Sequence, residues 1–304
     1  MNKNRILILT QTNPQTDFMF KNWILNGLKA DIIFRNVSKP FRLIRRIWMN
    51  IPLPFFQIWL GEWKKELKNY DIIIFHANDW SRHIPKYIHS INKNARIIYW
   101  YWNPVTRLSD PSKVDDSMTE LWTFDKNDAK KYGMKYNIQY YSQFNLKNTQ
   151  KESFSKDVYF IGHDKGRKEK IEKLANKLKS LGVKVKIQII ESGSKFVPYN
   201  EVCQEIYTSK AILELTQKGQ TGYTLRALES LFFSRKLITD NKNILNEPFY
   251  NPNNIFVIGV NDISEIKNFI EIPYDKHADV FKKQYNCHLY KSPSPRNPKT
   301  HRTP

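Results

Sequence analysis

Short apolar runs alternate with segments of helical period along most of the chain. In the first half, Ile6–Thr10, Ile32–Arg35, Asp71–His76, Ile97–Tyr101 and Glu120–Phe124 read as strands. Between them, Phe18–Leu28, Leu60–Asn69, Ile84–Ile91 and Asp125–Tyr132 read as helices. The strand runs are mostly continuous rather than alternating, which is the mark of strands covered on both faces of a parallel sheet. A polar stretch, Asn145–Lys156, intervenes and the pattern then restarts. Asp157–Ile161, Val183–Ile190, Ala211–Leu215, Lys236–Thr239 and Ile255–Ile258 read as strands, separated by helices over Arg167–Leu181, Tyr199–Tyr207 and Thr224–Phe233. In the first of these helices Ile171, Leu174, Ala175, Leu178 and Leu181 form one apolar stripe on a charged cylinder, and Gly182 ends it.

Two such units predict an α/β chain of two doubly wound, Rossmann-like domains that face each other across a cleft at the carboxyl ends of their strands. The expected boundaries are 1–148 and 157–275, with 276–304 as a tail. That tail is expected to be partly disordered: Pro293, Pro295, Pro298 and Pro304 punctuate residues 285–304, which read as disordered, while a short closing helix is either supplied around Ala278–Tyr285 or absent.

Composition narrows the partners. The formal charge of the 304 residues is +20, and residues 1–150 carry 23 Lys and Arg against 12 Asp and Glu. Nucleic acid is the first partner such an excess suggests. No zinc finger, aromatic strand motif or compact basic arm accompanies it, so no nucleic acid is expected. Anionic lipid, phosphorylated substrates or a coding bias toward Lys and Asn account for the charge equally well. Cys203 and Cys287 form neither a disulfide framework nor a zinc pattern. No uncharged apolar stretch approaches the roughly 20 residues of a membrane span. A soluble chain in a reducing cytoplasm is the expectation.

The segment Leu215–Glu229 carries the most chemistry. A polar turn with Gly219 and Gly222 leaves a strand end and enters a helix near Tyr223 or Thr224. Glycines let backbone approach a ligand, and a helix start offers N–H groups with partial positive charge. Glu229, about one and a half turns into the helix, is placed to reach a sugar hydroxyl. An ordinary strand–loop–helix crossover accounts for the segment alone equally well.

Taken together, Gly219–Glu229, Lys236–Asn241, Tyr250–Ile255, Tyr159–Gly162 with Lys165-Gly166-Arg167, and Leu121–Ala129 resemble glycosyltransferases of the GT-B fold. More narrowly, they resemble the enzymes of bacterial capsule, exopolysaccharide and O-antigen clusters, over roughly residues 5–275. The resemblance implies a donor domain in the second half and an acceptor domain in the first. It implies a nucleotide diphosphate sugar as donor, no metal cofactor, and a lipid-linked glycan as acceptor. Glu229 matches the position that binds the donor ribose. Thr221 stands where many retaining members carry the first of two glutamates, which leaves the stereochemistry open.

A diphosphate leaving group needs cations or N–H donors where negative charge grows. Lys165 and Arg167 could meet that need, or be solvated residues on a basic helix; with Gly162, Gln220, Thr221, Gly222, Tyr223, Thr224 and Glu229 they make up the donor-binding set that the resemblance implies. Asp17 and Asp79, in the segments after first-half strands, and His76, at the end of one, are the candidates for a base on the acceptor hydroxyl. A helix cap for Asp17 and a satisfied, half-buried imidazole for His76 are the plain alternatives. Basic and aromatic residues interleave over 41–65, which suits contact with lipid headgroups at the inner face of the cell membrane, or a buried helix pair with arginines at its rim. Pro52 and Pro54 break any single helix there. A nucleic-acid-binding protein, a sugar-nucleotide epimerase or hydrolase, and an inactive partner subunit remain the alternative readings.

Overall fold

The structure is a computed structural model that describes residues 5–13, 18–25, 27–51, 53–139, 141, 153–191, 197–217 and 219–286. Eleven strands occur among them, in two all-parallel sheets. The first contains β1 (Ile6–Thr10), β2 (Lys29–Ile32), β3 (Ile72–His76), β4 (Arg96–Tyr101), β5 (Glu120–Thr123) and β6 (Lys135–Tyr136), ordered β2-β1-β3-β4-β5-β6. The second contains β7 (Lys156–His163), β8 (Val185–Ile190), β9 (Ser209–Glu214), β10 (Lys236–Thr239) and β11 (Ile255–Val257), ordered β11-β10-β9-β7-β8. Helices α1 (Phe18–Leu25), α2 (Lys39–Asn50), α3 (Ile84–Ile91) and α4 (Lys126–Tyr132) belong to the first half. The second half adds α5 (Lys168–Ser180), α6 (Tyr199–Tyr207), α7 (Leu225–Phe233), α8 (Ile266–Glu271) and α9 (Lys282–Tyr285). These are two doubly wound, Rossmann-like domains in the GT-B arrangement.

The continuous apolar runs serve two cores at once. Leu7, Leu9, Ile73, Phe75, Ile97 and Tyr99 point into one side of the first sheet, while Ile6, Ile8, Ile72, Ile74 and Trp100 point into the other. The period of two along each strand thus loads both faces, as βαβ winding requires.

Several elements differ from the sequence expectation: Glu62–Asn69 is a 3-10 helix, β6 and α8 are additional, and three further differences have a physical reason. Strand β2 starts three residues early because Lys29–Ile32 pair with Leu7–Thr10. The apolar residues after it turn to a different partner: the Gly61 N–H donates to Ile33 O at 3.0 Å and the Arg35 N–H to Trp59 O at 3.0 Å. Residues 39–50, adjoining the two prolines, form a full helix. Residues 276–285 take the short helical alternative. A 3-10 turn (Lys276–Phe281) and α9 lay buried Ala278 and Tyr285 into the core beside α7, and the Tyr141 N–H donates to Tyr285 O at 2.9 Å. Tyr285 also meets Phe249 edge-on, with centroids 5.1 Å apart. Residues 287–304 and most of the inter-domain stretch lie outside the described residues.

Candidate functional site

The carboxyl edges of the two sheets meet where the turn after β5 enters the loop after β9. Asp125 caps α4, accepting from Asn127 N at 2.9 Å and Asp128 N at 3.2 Å. Its carboxylate also crosses to the other domain, accepting from Thr221 N at 2.8 Å, Thr221 Oγ1 at 2.7 Å and Gly222 N at 2.9 Å. Burial pushes the Asp125 pKa up, but the hydrogen bonds from Gly222 and Thr221 outweigh it and hold the group below its ordinary value.

Gly222 is required by this contact. A Cβ there would lie 2.7 Å from a Phe124 ring carbon and 2.8 Å from the Phe124 carbonyl oxygen. Backbone cannot yield as a side-chain tip can. Gly222→Ala is therefore expected to cost about 1–3 kcal/mol in thermal unfolding, by forcing the two edges apart.

The rest of the loop is tied from every side. Thr216 N donates to Asp240 Oδ1 at 2.8 Å, and Asn241 and Asn243 both donate to Thr221 O at 3.1 Å. The Thr224 N–H, at the mouth of α7, donates to the buried Glu214 carboxylate at 2.6 Å, which also accepts from Thr239 Oγ1 at 2.7 Å. The Thr224 hydroxyl caps α7 through Arg226 N at 3.1 Å. Gln220 donates to Gly222 O at 2.8 Å. The Tyr223 ring packs on Phe249 in the core. Protein carboxylates thus already hold the N–H groups of Thr221, Gly222 and Thr224 that the sequence assigned to a diphosphate.

Glu229 also departs from its expected direction. It is 0% exposed, inside the second domain rather than turned to the cleft. One carboxylate oxygen accepts from the Tyr199 hydroxyl of α6 at 2.6 Å and the other pairs with Arg226 on its own helix. The i, i+3 spacing brings Arg226 and Glu229 onto one side of α7, where α6 covers them.

The turn after β7 forms the open side. Lys165 and Gly166 are both left-handed, at φ 51° and 77°. A non-glycine residue there is uncommon and marks a backbone held by its surroundings. Arg167 lies over the Phe160 ring at 5.6 Å, donates to Leu215 O at the start of the glycine loop, and reaches His163 O at 3.3 Å. Gly162 leaves the space, since a Cβ there would sit 3.1 Å from Arg167 Nη2. The Asp164 carboxylate fixes the entry to α5, accepting from Arg167 N at 3.0 Å and Lys168 N at 2.7 Å. Gly162, Lys165 and Arg167 therefore come together beside the Leu215–Thr224 loop.

Of the base candidates, Asp17 lies outside the described residues. His76 is buried against Trp102, with stacked centroids 5.7 Å apart, and meets Phe20 and Trp23 edge-on. Burial pushes its pKa down to about 3, so the imidazole is neutral and enclosed rather than poised at the cleft edge. Asp79 is exposed on the turn after β3, which the Asn78 side chain fixes by accepting from Trp80 N and Ser81 N, each at 3.0 Å. Sequence reasoning missed Asp125, Glu214, Arg226 and Tyr199. Only Asp125, an Asp between a strand and a helix, carried a local signal, and that signal was for capping.

No protein-family model matches the chain, and neither does any curated protein sequence. Among solved structures, its path is similar to the UDP-GlcNAc 2-epimerase of Methanocaldococcus jannaschii, solved in complex with UDP-GlcNAc and UDP. That match has 11% identity, covers 94% of this chain and 99% of that one, and has a TM-score of 0.42. It is similar also to a putative UDP-N-acetylglucosamine 2-epimerase from Listeria monocytogenes, at 10% identity, 92% and 91% coverage and a TM-score of 0.46. TarM matches at 14% identity over 75% of this chain and 52% of its own, with a TM-score of 0.40. The fold assignment rests on the strand orders and on the opposed carboxyl edges.

Proposed function

We propose that the chain is a glycosyltransferase that moves a sugar from a nucleotide diphosphate donor to a growing, lipid-linked glycan. The observation that carries the reading is the meeting of the Lys165-Gly166-Arg167 turn with the Leu215–Thr224 loop on adjacent strand ends, through the Arg167 guanidinium. A planar, permanently charged fork beside two left-handed residues suits a diphosphate, whose charge grows as the glycosidic bond breaks. In this reading Lys165 and Arg167 take the diphosphate directly, with Gln220 and Thr221 beside it. Asp125 and Glu214 fix the wall of the pocket, and Glu229 positions α7 through Arg226. Asp79 is the base for the acceptor hydroxyl.

The test is a panel of nucleotides and nucleotide-sugars, read as the ligand-induced rise in melting temperature. A ligand at about a hundred times its Kd stabilises by roughly 2.7 kcal/mol, a rise of about 5–10 °C. Arg167→Ala should cut that rise by weakening binding about tenfold or more, whatever it does to the unliganded protein. If no member of the panel stabilises the wild type, or if Arg167→Ala responds equally, the pocket assignment is wrong. Consumption of the donor with no acceptor present would move the reading to an epimerase or hydrolase.

A further inference from the structure

The amphipathic helix α2 is mounted with its apolar side outward. At 100° per residue, Leu43, Ile47, Ile51, Ile44 and Phe41 span one continuous arc of about 160°. Each of the five is between 43% and 61% exposed, whereas Met49, on the opposite side, is 1% exposed. The arginines flank the domain-facing side. Arg45 stacks over Phe34 at 4.8 Å and donates to Arg35 O at 3.0 Å, and Arg46 stacks over Trp80 at 4.9 Å. Phe55, in the turn that follows, is left-handed at φ 61° and 69% exposed. Eight of the fourteen large apolar side chains exposed among the described residues fall between 41 and 58. Concentration of this kind on a soluble surface marks a contact.

Charge identifies the occupant. Arg35, Lys39, Arg42, Arg45 and Arg46 accompany the stripe, and no Asp or Glu occurs from residue 32 to 61. An apolar arc edged by uncompensated cations fits the boundary between anionic headgroups and acyl chains, where the side chains insert and the arginines stay at headgroup level. No described helix is long and apolar enough to cross a membrane, so α2 would lie in its plane.

We infer that α2 and the Phe55 turn form the face by which this protein docks on an anionic lipid bilayer. The inference stands independently of the ligand in the cleft. It does set the orientation of the cleft, because α2 packs on the turn that carries Asp79 and the Arg82 guanidinium donates to Asn50 O at 3.2 Å. The Asp79 edge then opens toward the bilayer.

The test is sedimentation of the full chain with vesicles of phosphatidylglycerol and phosphatidylcholine, against phosphatidylcholine alone. Wild type should pellet with the anionic vesicles and release as salt rises. Ile47→Ser and Phe55→Ser should each lower the partition coefficient about tenfold. Lys39→Gln should lower it about fivefold and Lys39→Glu further, on anionic vesicles only. All four should keep the wild-type melting temperature and the wild-type response to nucleotide-sugars in solution. Absence of pelleting, or equal pelleting by the apolar variants, overturns the inference. So does a lipid-free dimer that the same substitutions dissolve, which would make a second copy the occupant.

Discussion

Glu229→Ala is expected to lower the melting temperature by roughly 10 °C, the largest effect of any single side-chain truncation considered for α7. The carboxylate is fully enclosed and is the counter-ion of Arg226. Removing one member of a buried pair strands the other, at a cost of about 3–5 kcal/mol. The Tyr199 hydroxyl would lose its acceptor at the same time. A double-mutant cycle separates these contributions. Glu229→Ala with Arg226→Met should recover much of the loss, because no orphaned charge remains. Glu229→Gln should fall between wild type and Glu229→Ala. Urea unfolding that places Glu229→Ala within about 1 kcal/mol of wild type would show that the pair does not hold α7. Lost nucleotide response in this variant would reflect damage to the fold, which is why Arg167 is the probe for binding.

Asp125→Ala is the second. One carboxylate accepts five hydrogen bonds, two from its own helix start and three from the other domain. Truncation removes a helix cap and leaves Thr221 and Gly222 N–H groups without their acceptor, for a loss of about 3 kcal/mol. Asp125→Asn should fall nearly as far, since an amide has one acceptor oxygen and would turn donors toward donors. The readout specific to the contact is small-angle scattering: the radius of gyration should rise as the carboxyl edges part. An unchanged radius in both variants would remove Asp125 as the link.

The same contact gives a pH dependence of known sign. Asp125 has a folded-state pKa below its ordinary value. Its contribution is therefore complete above the unfolded value, about 4, and is lost as pH falls through the lower folded value. Acid should part the domains in wild type. In Asp125→Asn the step should be missing, which separates Asp125 from other carboxylates that titrate in that range.

How much of this was legible in the sequence depends on whether the deciding interaction was local. Ile6–Thr10, Ile84–Ile91 and Lys236–Thr239 were read to the residue, because local signals bound them: polar neighbours flank the apolar strand residues, and Pro85 and Asn92 mark the ends of an amphipathic helix. β2 slipped by three residues because its register is set by β1 and not by its own hydrophobicity. The two-residue strand β6 has no pattern to read. The direction of Glu229 was misjudged because the helix period alone does not say which face α6 will cover. Asp125 and Thr221 are 96 residues apart, so a capping aspartate was visible and its second task was not. Helix α2 was obscured for a different reason: two prolines follow it, and its apolar stripe does not mark the core.

The pairing of Tyr141 with Tyr285 bears on how the chain is born. The second sheet is complete once Val257 has been synthesised, yet its core still lacks Ala278 and Tyr285. Domains usually fold as they emerge, N-terminal first, at about 5–20 residues per second. Here the first domain can settle early, whereas the second waits seconds for α9, with Phe249 and Tyr223 uncovered meanwhile. Translation of residues 258–285 is thus a window in which the nascent second domain is exposed to aggregation, and a chain cut before Lys276 would lack the side chains that close its core.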